Sequence, residues 1–104
     1  MNELAQQILA NYEKHGWQLR RILTSGDEPS GMAEAFPDTQ IVNAGVDALW
    51  FARPSHGGRE AWELRLVAEQ SYALFEAFEA DESEEDRAEA RLEMENKMRA
   101  YVGR

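Results

Sequence analysis

Residues 46–78 read VDALWFARPSHGGREAWELRLVAEQSYALFEAF, and this stretch decides the fold. It carries Trp50, Phe51, Trp62, Tyr72, Phe75 and Phe78, six of the ten aromatic residues in the chain. Two turn signals divide it: Pro54-Ser55-His56-Gly57-Gly58, and Glu69-Gln70-Ser71. Around them the apolar residues recur with period two, which predicts strands rather than helices. In residues 59–68, Trp62, Leu64, Leu66 and Ala68 share one parity, against Glu63, Arg65 and Val67. In residues 72–79, Tyr72, Leu74 and Phe78 stand opposite Ala73, Phe75 and Ala77. Both parities carry apolar side chains, so the sheet is expected to be apolar on both faces.

Upstream, residues 40–53 continue the alternation and predict one long strand. Val42, Ala44, Val46, Ala48, Trp50 and Ala52 share a face, with Ile41, Leu49, Phe51 and Arg53 on the other. Gly45 marks a bulge or bend within it. Residues 24–38, TSGDEPSGMAEAFPD, form a loop punctuated by Gly26, Pro29, Gly31 and Pro37. Met32 to Phe36 are expected to make one helical turn tucked under the core. Residues 17–23 form a further strand, with Trp17, Leu19, Arg21 and Leu23 on one side.

The two ends of the chain switch to helical spacing. Leu4, Ile8 and Tyr12, with Ala5 and Leu9 beside them, predict a helix over residues 2–15. Gly16 is placed to end it in the left-handed conformation. Ser83 with Asp86 three positions on resembles a capping box, and Ala90, Met94, Met98 and Tyr101 form the stripe of a second helix that Gly103 ends. The expectation is therefore one α+β domain over residues 1–104. Its order is a helix, a four-stranded antiparallel meander and a C-terminal helix, with both helices packed on one sheet face.

That arrangement leaves an apolar face over. Four strands span roughly 19 Å, about the width that two helices cover. Leu49, Phe51, Val67 and Phe75 fall on the remaining face and are expected to form an interface, because large exposed apolar patches mark association surfaces. The leading expectation is a non-enzymatic protein-interaction module that forms a homodimer through this face.

Charge narrows the partner classes. The formal net charge is −9. Residues 76–86 contain seven acidic side chains and no basic one, which leaves −2 for the rest. Nucleic acid and anionic membranes require clustered positive charge, so neither is expected as a partner. With no cysteine there is no disulfide or thiolate chemistry. No signal peptide and no membrane span are read, and a soluble cytoplasmic protein is expected.

Catalytic signatures are missing. His56-Gly57-Gly58 is not accompanied by the G-x-S-x-G elbow of an esterase and reads as a turn. His15 and His56 belong to no metal-ligand spacing, the acidic run lacks the glycine of an EF-hand, and there is no phosphate-binding or dinucleotide fingerprint. No enzyme activity and no cofactor are expected. Arg21 shares parity with apolar neighbours, and Arg53 lies in the strand region. Both are candidate anion-binding residues for a second expectation, a small-molecule pocket taking an anionic ligand. A third is an acidic inhibitor, in the manner of immunity or chaperone proteins, that covers a basic partner with residues 76–86.

Overall fold

A computed structural model describes residues 2–26 and 36–103. The elements in order are α1 (Asn2–Lys14), β1 (Gln18–Thr24), β2 (Gln40–Asn43), β3 (Ala48–Pro54), a single 3-10 turn at His56–Gly58, β4 (Glu60–Leu66), β5 (Ala73–Phe78) and α2 (Glu84–Val102). The class is α+β, as the patterning predicts. No helix among the described residues is long and apolar enough to cross a membrane.

The sheet has five strands in the order β2-β1-β3-β4-β5. The expected four-stranded antiparallel meander is corrected at one place. Residues 40–53 form two strands, not one. Gly45 takes a φ of +74°, a conformation that costs glycine little, and the chain turns there. β2 lies parallel to β1, from Arg21 beside Gln40 to Thr24 beside Asn43. Residues 44–47 then arch over the end of β1, and β3 runs back antiparallel on its other side. The Ala44 N–H donates to the Thr24 carbonyl at 2.9 Å. The Asp47 carboxylate accepts from the Ser25 N–H at 2.9 Å and from its hydroxyl at 3.1 Å. The Arg99 guanidinium of α2 donates to the Ala44 carbonyl at 2.9 Å. An alternating pattern cannot reveal this break, because the alternation resumes in phase after it.

The second correction concerns the helices, which lie on opposite faces of the sheet. Ala5, Ile8 and Leu9 of α1 pack with Ile22, Leu49, Phe51, Ala61 and Val67. Met94 and Met98 of α2 pack with Leu23, Ala48, Trp50, Trp62, Leu64 and Phe78. β3 explains why. Every residue from Ala48 to Ala52 is buried, so both faces of this strand need a cover. Burying a large apolar side chain stabilises by roughly 1.5–3 kcal/mol, which a one-sided arrangement would forgo on half of β3.

β1 carries a bulge. Leu19 pairs with Phe51 but Arg21 pairs with Trp50, so Arg20 is the extra residue. The bulge puts Leu19 and Ile22 on the α1 face and Leu23 on the α2 face. The expected shared parity of Leu19, Arg21 and Leu23 fails for that reason.

The local signals at the helix ends hold. Gly16 has a φ of +86°. The Ser83 side chain accepts from the Asp86 N–H at 3.1 Å, and the Gly103 N–H donates to the Arg99 carbonyl at 2.9 Å. Of the expected turn at Met32–Phe36, only Phe36 lies within the described residues. It is half-buried against the α1-side cluster.

Candidate functional site

The expected interface residues separate into two groups. Leu49, Phe51 and Val67 are buried beneath α1. Phe75 stands alone at 58% exposure, the most exposed large apolar side chain among the described residues. Once α1 covers the centre of the second face, the apolar surplus shrinks to the outer strand.

β5 is the edge of the sheet and pairs only with β4. Leu74 and Phe78 turn towards α2 and are covered to different degrees, Phe78 almost completely. Ala73, Phe75 and Ala77 turn the other way, past the reach of α1, and all three are exposed. The Leu66 N–H donates to the Tyr72 carbonyl at 3.0 Å. In an antiparallel ladder hydrogen-bonded pairs alternate with pairs that are not. Tyr72, Leu74, Glu76 and Phe78 therefore spend their backbone groups on β4, while Ala73, Phe75 and Ala77 direct their N–H and C=O groups outward.

Natural edges are usually blunted by charged side chains, proline, a bulge or shortness. β5 has no proline and no bulge: it reads ALFEAF, six residues long, and its register with β4 runs unbroken from Glu60 beside Phe78 to Arg65 beside Ala73. Its one charge, Glu76, lies opposite Trp62 on the α2 side. The other edge, β2, is only four residues long.

Between α1 and β4, next to this edge, lies a polar hollow of about 320 Å³ bordered by Asn11, His15, Glu63, Arg65 and Ser71. The Tyr12 ring stacks on Phe51 at 4.1 Å and its hydroxyl donates to Glu63. Burial first, and then the hydrogen bond to Glu63, push the Tyr12 hydroxyl well above the usual tyrosine range. It stays protonated as a fixed donor and is no base. The Arg65 guanidinium donates to the Leu66 carbonyl at 2.7 Å. Tyr12 and Glu63 thus satisfy each other, while Arg65 is engaged by the backbone.

The two arginines singled out from the sequence are not brought together. Arg53 sits on the α1 face, where it donates to the His15 carbonyl at 2.8 Å and lies 4.5 Å over the Trp17 ring. It ties down the end of α1. Arg21 donates to Gln40 at 3.1 Å and lies 3.8 Å from Glu95 on the α2 side. Its neighbours there are Arg20 and Arg91, which together with Arg21, Glu60, Trp62 and Glu84 line a hollow of about 250 Å³. Sequence reasoning placed neither Arg20 nor Arg91 in a site. Arg20 is moved there by the bulge, and Arg91 lies 71 positions further on, so no local signal joins them.

A larger hollow of about 600 Å³ opens at the end of the sheet, bordered by Val46, Asp47, Leu66, Ala68, Gln70 and Tyr101. Asp47 is the acidic group on its wall, and its carboxylate is already engaged by Ser25. Among the described residues no group of three or more His, Asp or Glu side chains is placed to hold a metal ion. No family model, no curated protein and no solved structure matches the chain, so its function is read from this surface alone.

Proposed function

We propose that this chain is a non-enzymatic protein-interaction module that pairs with a second copy of itself along β5, with Phe75 at the centre of the contact. The observation that carries the proposal is a six-residue sheet edge with outward-facing backbone groups and an exposed phenylalanine in its middle. Strand addition at such an edge supplies backbone hydrogen bonds for affinity, while side chains set the register.

The residues on β5 favour one register. Antiparallel self-pairing with Phe75 opposite its counterpart puts Ala73 opposite Ala77 and Leu74 opposite Glu76. Aromatic and alanine pairs then share the exposed face, and no two glutamates are directly opposed. Sliding by two residues would set Glu76 against Glu76, which like-charge repulsion disfavours. The proposal keeps Phe75 from the sequence-based interface and moves the contact from the sheet face to its edge. It carries the cytoplasmic setting expected from the sequence.

An acidic inhibitor is a weaker reading, because part of the run is used internally. Glu79 pairs with Arg59 at 2.6 Å, Glu82 accepts from the Glu79 N–H at 2.8 Å, and Glu84 pairs with Arg91.

Sedimentation velocity at micromolar concentration tests the dimer. A two-fold increase in mass that Phe75→Glu abolishes is the expected result. Ala77→Pro removes an outward N–H without touching a bond to β4, and is expected to abolish it too. A strict monomer at all concentrations, or a dimer that both variants retain, would sink the proposal.

A further inference from the structure

On the α2 side of the sheet the chain concentrates positive charge against its overall sign. Eleven basic residues face twenty acidic ones in the sequence, yet Arg20, Arg21 and Arg91 converge on one small hollow. Two features of that hollow set it apart from an ordinary ion-pair cluster.

The first is the pairing of Arg91. Its side chain is only 10% exposed and lies 4.5 Å over the Trp62 ring. Its carboxylate partner, Glu84, is 76% exposed. The arginine is fixed and the glutamate is held only from one side. The indole N–H of Trp62 is bound to Glu60 at 2.6 Å, and the Arg87 guanidinium lies 3.5 Å from the same carboxylate, so Glu60 is anchored and the floor is rigid. The hydrogen bond and charge of Arg91, with smaller effects from Arg87 and Arg20, hold the Glu84 carboxyl below the usual carboxylate range. An anion at the position of its carboxylate is therefore stabilised.

The second is Arg20. Among the described residues its guanidinium has no carboxylate or carbonyl partner. It lies 5.3 Å over the Trp62 ring and acts on Glu84 through its charge, without a hydrogen bond to it. The bulge in β1 is what turns Arg20 to the same side as Arg21. A guanidinium fork offers donors in a geometry that matches oxyanions, and a rigid one loses little freedom on binding.

We propose that Arg20, Arg21 and Arg91 form a binding site for a phosphate-class oxyanion, in which Glu84 is an internal competitor whose carboxylate occupies the anion's place until it swings out to solvent. The volume of about 250 Å³ accommodates a phosphate group and leaves room for part of a small molecule that carries it. The ligand is either free phosphate or the phosphate of a small monoester whose remainder projects out of the hollow. The site shares no residue with the β5 edge, so it stands or falls separately from self-association.

The test is an NMR titration with inorganic phosphate against chloride at matched ionic strength, with glycerol phosphate as a second arm. It follows the Trp62 indole N–H and the arginine Nε–H signals. Saturable shifts confined to Trp62, Arg20 and Arg91 are expected. Glycerol phosphate binding more tightly than phosphate would assign a monoester, and equal or weaker binding would assign free phosphate. Glu84→Gln removes the competitor and should tighten binding about two- to fivefold, the range of a partly exposed ion pair. Arg20→Ala, at an exposed position, should weaken it about tenfold. A purely structural Glu84–Arg91 pair would give the opposite sign for Glu84→Gln, or none. Absent or non-saturating shifts in both the parent and Glu84→Gln, or saturable binding that Glu84→Gln weakens or leaves unchanged, would overturn the site.

Discussion

β3 and β5 begin alike, with Ala-Leu followed by an aromatic residue, and both carry apolar side chains on both parities. Their surroundings differ completely. β3 has a strand on each side and a helix on each face, and Phe51 is fully buried. β5 has one neighbouring strand and one covering helix, and Phe75 projects past the end of the cover. Place in the sheet, rather than composition, decides whether the same apolar pattern becomes core or contact surface.

The largest effect is expected where β3 is enclosed. Phe51→Ala should destabilise the fold by about 3–5 kcal/mol, read from chemical denaturation at fixed protein concentration. A loss below about 1 kcal/mol would mean that α1 does not seal this face. On the opposite face, Trp50→Phe removes the indole N–H that donates to Glu95 at 2.8 Å. A loss of about 1–3 kcal/mol is expected, because the part-buried carboxylate loses its 2.8 Å donor and keeps the Arg21 guanidinium at the longer distance of 3.8 Å.

Tyr12→Phe keeps the ring on Phe51 and removes the hydroxyl bound to Glu63. It should cost about 1–2 kcal/mol at neutral pH. The folded-state pKa of Tyr12 lies above its unfolded value of about 10. This contribution is therefore fully present below pH 10 and fades as the pH rises further. The variant should flatten the alkaline loss of stability, and an unchanged alkaline limb would refute the assignment. Smallest of all, Phe75→Ala should change monomer stability by no more than about 0.5 kcal/mol. A large loss there would make Phe75 a core residue like Phe51 and erase the contrast between the strands.

What the sequence discloses and what it hides divide along the same line. The two helices, the turn at 54–58 and the Ser83 cap are local, and period and punctuation reveal them. Apolar residues on both parities of β3 are also visible. The identity of their cover is not, because nothing near Leu49 or Phe51 records that Ile8 and Leu9 pack against them. The parallel pairing of β1 with β2 and the bulge at Arg20 are equally non-local. One residue of slip there changes which arginines meet Arg91. Phe75 is legible as an exposed residue, but for a reason that holds only at the edge.

The arch latched by Ser25 and Asp47 also bears on the order in which the chain assembles. β3, β4 and β5 are joined through the short connections 55–59 and 67–72, so this hairpin series can close quickly. β1 must instead capture β3 across residues 25–47, a slower closure, and β2 gains its place only once β1 is present. Because closure entropy rises slowly, doubling the length of that segment costs only about 0.6 kcal/mol. The chain can thus carry a longer insert between β1 and β2 with little loss of stability, while its folding rate records the change.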